Sequence, residues 1–219
     1  MPDGPLSLPA HLYLLAWDIS KAEVVGADEV PRLVRAGALV ELARLGLLVD
    51  EDGIATPADL DAYPGDPVLD GLLELVHESR PHRWRAWVTL RNRFTLDAVR
   101  EQLAAGGYLR PRKKRALGLF PTVDYDLERP AAVEALQEEA RQVLRGPMPV
   151  VELSERDAAL IALAAAAGLR TLWTREEAAR YEKRVEELVE RGDTAAPALR
   201  KVVDGVRAAV AATSVAAGA

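Results

Sequence analysis

Five cations fall within six residues, Arg110, Arg112, Lys113, Lys114 and Arg115, and the apolar residues Leu117, Leu119 and Phe120 follow at once. Positive charge beside apolar side chains suits the boundary between phosphate headgroups and acyl chains, where each cation is worth roughly 1 kcal/mol within a Debye length. A second basic stretch, Arg80, Arg83 and Arg85 continued by Arg91 and Arg93, is interleaved with Trp84 and Trp87. Arginine's planar fork suits bidentate phosphate binding better than lysine's point charge does. Two tryptophans at i, i+3 share one helix face; Trp87 is expected in the core and Trp84 more open.

Other chemistries find less support. The chain has no cysteine, which excludes disulfides, thiol catalysis and cysteine-ligated zinc. His11, His77 and His82 are scattered without ligand spacing. Asp50-Glu51-Asp52 does not start a calcium loop, because Ile54 and Asp61 stand where an oxygen ligand and a glutamate belong. Asp124 and Asp126 have the spacing of a metal-binding pair in nucleotide-sugar glycosyltransferases, but no α/β nucleotide scaffold accompanies them, so turn and cap roles are expected. Neither a Walker loop, a GxGxxG fingerprint nor a nucleophile elbow occurs. The expectation is binding rather than catalysis, with no cofactor and no metal.

Charge is unevenly distributed. Residues 1–79 carry 4 Lys+Arg against 15 Asp+Glu, residues 80–125 carry 11 against 3, and residues 126–219 carry 13 against 16, within a net charge of -6. A basic middle in an acidic chain creates a local positive potential and points to phosphate-bearing partners.

The elements that must position these residues are mostly helical. At 219 residues, with 49% hydrophobic and 28% charged composition, the chain reads as one domain over 1–219, with a soft boundary near 146–150 if anywhere. Ser7 and Pro9 open a helix to about Trp17, and Ala22–Val25 reads as a short strand. The series Val30, Leu33, Val34, Gly37, Ala38, Leu42 and Leu45 is a helix apolar nearly all round, so it belongs in the core and Glu41 needs an arginine partner. Two strands flank Asp52-Gly53, and Asp66-Pro67 starts the next helix. Pro81 opens a short helix, and Thr95 is expected to cap another that Gly106-Gly107 ends. Residues 108–121 read as a β-hairpin with a basic turn and an apolar return strand. The last third is helical, punctuated by Pro130, Ser154 with Asp157, Thr174 with Glu177 and Pro197. No run approaches the roughly 18 apolar residues of a spanning helix, and Met1–Leu8 lacks a signal core, so a cytoplasmic, peripherally membrane-associated protein is expected.

Four blocks occurring in order, residues 6–18, 36–46, 65–70 and 116–121, resemble the Golgi phosphoprotein 3 family over residues 6 to 212. The resemblance implies a mainly α fold with a protruding hairpin, binding phosphatidylinositol 4-phosphate at a basic pocket and inserting apolar hairpin residues in the bilayer. It also implies an adaptor role toward cytosolic tails of membrane enzymes and self-association through the hairpin. Arg35 falls on a headgroup arginine of the family and Arg93 approximately on another, while Gly26 replaces a pocket tryptophan and Leu96 sits near an expected arginine. Arg32, Arg100 and the hairpin cations are expected to widen that site. The alternative is a winged-helix nucleic-acid binder, with residues 95–105 as recognition helix and the hairpin as wing. Its helix offers Arg100 alone against Asp97 and Glu101, poor equipment for a groove.

Overall fold

A computed structural model describes residues 6–59, 61–116 and 120–217, with side chains described outside 114–122 and 214–217. Helix α1 (Leu8–Leu15) follows Ser7, whose hydroxyl donates to Gln102 Oε1 instead of capping the helix. Every α1 residue except His11 is buried. A two-residue ladder, β1 (Trp17–Asp18) with β2 (Glu23–Val24), leads into α2 (Val30–Arg44). From Val30 to Ala43 only Arg32 escapes full burial, as expected of a helix apolar nearly all round, and α2 packs on α1. The two backbones approach closely at Gly37, where a Cβ would lie 2.6 Å from Leu12 Cδ1 and 3.1 Å from Pro9 Cα. Glu41 has the arginine partner expected of it: Arg44 Nη2 lies 2.7 Å from its Oε1, and its Oε2 accepts from Leu8 N at 3.0 Å.

Strands β3 (Leu48–Glu51) and β4 (Ile54–Pro57) join through Asp52 and Gly53, both at positive φ, the backbone that a tight hairpin turn demands. In α3 (Pro67–Glu78) the Asp66 carboxylate accepts from Val68 N and Leu69 N and also from Gln102 Nε2 at 2.7 Å, tying this helix start to α5 (Asn92–Ala105). Between them lies α4 (Trp84–Trp87), which begins three residues after Pro81. Two expectations fail in this region. Trp84 is as buried as Trp87, its indole N–H donating to Asp50 Oδ1 at 2.7 Å. Thr95 does not cap α5; the helix starts at Asn92 after a left-handed Arg91, and Thr95 is buried within it.

At its other end α5 closes with a Schellman motif: Tyr108 N donates to Leu103 O, Gly107 N to Ala104 O, and Gly107 takes φ +71°. That turn launches β5 (Leu109–Ala116), antiparallel to β6 (Phe120–Leu127). The expected basic turn is absent, because all five cations lie on β5, and β6 carries Asp124 and Asp126 on the strand itself. The turn, with Leu117 and Leu119, lies outside the described residues.

The last third comprises α6 (Pro130–Arg145), a 3-10 turn (Val150–Glu152), α7 (Glu155–Ala166), α8 (Arg175–Arg180), α9 (Glu182–Asp193) and α10 (Leu199–Ala217). Ser154 caps α7, and Thr174 with Glu177 forms the expected capping box of α8. Helix α7 packs against α9, while α10 returns across the molecule to α2, α4 and α7. The fold is mainly α with short strands, and no described helix is long and apolar enough to cross a membrane.

Candidate anion-binding site

Arg35 sits in the middle of α2 and is completely buried. Its Nη2 donates to Arg91 O at 2.7 Å, the carbonyl immediately before α5, while Nε and Nη1 are buried without a hydrogen-bond partner. Burial pulls the guanidinium down to a pKa of about 10, still charged at neutral pH. It lines a cleft of about 380 Å³ between α3 and α5, with Pro67, Gly71, Glu74, Glu78, Phe94 and Thr95 on its walls. Neither Glu74 nor Glu78 comes within ion-pair reach of Arg35. The first N–H groups of α5 receive no side-chain cap. Arg35 is thus a buried cation with two unmet donors beside an uncapped helix start.

A second cleft, of about 450 Å³, opens at the same helix start and is lined by Arg32, Asn92 and Arg93 with Asp28, Pro31, Ala212 and Thr213. Arg32 is held there by the C-terminal half of α10, donating from Nη1 to Ala209 O at 3.2 Å and Thr213 Oγ1 at 2.6 Å. Arg35 and Arg93 therefore border different clefts at one end of α5, rather than converging in one pocket. Arg100 is drawn elsewhere: its guanidinium stacks 5.7 Å from the Tyr13 ring centroid and 5.5 Å from that of Tyr125, and reaches Asp97 at 3.7 Å. That position holds the hairpin base to α1 and α5.

The hairpin cations divide. Arg110 pairs with Glu128 at 3.1 Å and Asp126 at 3.9 Å, and Arg112 with Asp126 at 3.4 Å and Asp124 at 3.7 Å. The register sets Arg110 opposite Asp126 and Arg112 opposite Asp124, so the two aspartates act in a cross-strand charge ladder, neither as turn nor as cap. Lys113 is exposed with no ion pair among the described residues. Lys114, Arg115 and Phe120 belong to the strands, but their side chains lie outside the described residues.

By contrast, Arg80, Arg83, Arg85, Arg91 and Arg93 are all exposed, and none has an ion pair among the described residues. Uncompensated charge thus concentrates ahead of and at the start of α5. Sequence reasoning missed Phe94, which is 68% exposed between Arg93 and Thr95 and borders the Arg35 cleft. Its neighbours Leu96 and Val99 fill the buried stripe of α5, so helical spacing alone places Phe94 outside it.

The sequence model of the Golgi phosphoprotein 3 (GPP34) family matches residues 8–206, and the chain belongs to that family. No curated protein matches the chain. Among the described residues no group of His, Cys, Asp and Glu is placed to hold a metal ion.

Proposed function

We propose that this chain is a peripheral membrane protein that binds the phosphorylated headgroups of anionic phospholipids, phosphatidylinositol 4-phosphate or a relative, at the start of α5. The observation that carries the reading is Arg35, a fully buried arginine with two unmet donors that borders a cleft. Each unsatisfied buried donor costs about 1–3 kcal/mol, and a phosphate oxygen removes that cost. Arg91, Arg93 and Arg32, which line the two clefts, supply the surrounding field, and Phe94 supplies an apolar contact at the headgroup boundary. The hairpin takes a smaller electrostatic part, because Arg110 and Arg112 are paired and Lys113 is exposed beside them. An adaptor role toward cytosolic tails of membrane enzymes, which the family resemblance implies, belongs to the same proposal.

Nucleic acid is the weaker reading. The side of α5 away from the core carries Asp97 and Glu101, and Arg100 is occupied by two tyrosines. Vesicle flotation tests the proposal: binding to vesicles of neutral phospholipid containing phosphatidylinositol 4-phosphate, and none to neutral phospholipid alone, is expected. Equal recovery on both vesicles overturns it.

A further inference from the structure

A cleft of about 710 Å³, larger than either arginine-lined cleft, lies between α1, α6 and α7. Its floor is apolar, built from Leu136, Ala140, Val143, Leu153, Leu160 and Ile161, and its volume is that of a small-ligand site. The ionisable groups along it are Glu139, Glu152, Asp157 and His11, with no lysine or arginine. Glu139 and Glu152 are exposed and without ion pairs among the described residues, and Asp157 accepts from Ser154 Oγ at 2.6 Å. Three cations stand near the cleft and are engaged: Arg156 is turned to Leu6 O, Arg184 donates to Val143 O and Met148 O, and Arg191 donates to Leu153 O and pairs with Glu155. His11 Nε2 is buried without a hydrogen-bond partner, and burial holds the ring at a pKa of about 4, so at neutral pH it adds no positive charge. The cleft is therefore apolar within and bordered by the unpaired carboxylates of Glu139 and Glu152.

We propose that this cleft binds a small organic cation with an apolar body, an alkyl or aryl ammonium. Its hydrocarbon part covers Leu136, Val143 and Ile161, and its ammonium donates to the carboxylates of Glu139 and Glu152. An anionic headgroup is repelled here, so the site stands apart from the lipid reading and either can fail alone.

Isothermal titration calorimetry of the full chain with hexylammonium, hexanol and hexanesulfonate tests the proposal. Hexylammonium is expected to bind at least roughly tenfold tighter than hexanol, a difference of about 1.4 kcal/mol, and hexanesulfonate more weakly than either. The double substitution Glu139→Gln, Glu152→Gln is expected to remove that preference. A second variant, Val143→Trp, fills the cleft from its partly exposed wall and is expected to abolish hexylammonium binding without any change of charge. Equal affinity for hexylammonium and hexanol, an unchanged preference in the double variant, or no binding of hexylammonium overturns the proposal.

Discussion

Arg35 is retained at a cost. A guanidinium with one hydrogen bond and two orphaned donors is a poor core residue, and an apolar side chain of similar length packs there with less penalty. Arg35→Met is therefore expected to leave stability unchanged or to raise it by about 1 kcal/mol in urea unfolding, where an ordinary core disruption lowers it. His11 carries a pH dependence of its own. Its folded pKa is about 4, lowered by burial and then by Arg156 against the opposing Asp157, while the unfolded value is 6.5. Between those values the unfolded chain binds more protons than the folded one, so the contribution is complete above pH 6.5 and is lost as pH falls toward 4. Unfolding at pH 7 and pH 4 should show wild type losing about 2 kcal/mol more than His11→Leu. At this scale Glu41's need for an arginine is legible from its type and position, whereas Arg35 comes from the family resemblance alone. The sequence does not reveal that Arg44, three residues away on the next turn of α2, is Glu41's partner while Arg35 has no carboxylate partner, since that depends on which rotamers the packing allows.

Local signals placed the elements well where local physics decides. The caps at Asp66, Ser154 and Thr174, the Asp52-Gly53 turn and the Gly106-Gly107 stop all work within a few residues, and each appears where the sequence put it. Thr95 has the residue type of a cap, yet α5 begins one turn earlier, from a left-handed arginine that no propensity marks. The hairpin turn falls later than the five cations suggest, because they look like a solvated loop until their cross-strand carboxylates are known. Two substitutions test the element contacts. Gly37→Ala should destabilise by about 1–3 kcal/mol, since the new methyl meets the Pro9 backbone and cannot displace it cheaply. Asp66→Ala should cost about 2 kcal/mol, because it removes the α3 cap and leaves Gln102 Nε2 without its carboxylate, whereas a cap at a free helix end costs about half that. Thermal or urea unfolding reads both.

Across the whole molecule, charge sorts into places where it is spent internally and places where it remains available. The ladder on the hairpin and the Arg200, Arg207 and Glu186 cluster belong to the first kind; the arginines from Arg80 to Arg93 belong to the second. The basic middle was visible in composition, but the location of its uncompensated part required the strand register. Membrane association resting on that field should weaken steeply when salt rises from 0.1 M to 1 M, as the screening length shrinks from about 10 Å to about 3 Å, and flotation across that series checks it. The most direct measurement is the affinity of Arg35→Met for vesicles containing phosphatidylinositol 4-phosphate, taken beside its unfolding curve. A loss of roughly tenfold or more with stability intact is predicted, as one charge-assisted headgroup contact is removed. Unchanged affinity in a folded Arg35→Met variant would contradict the account.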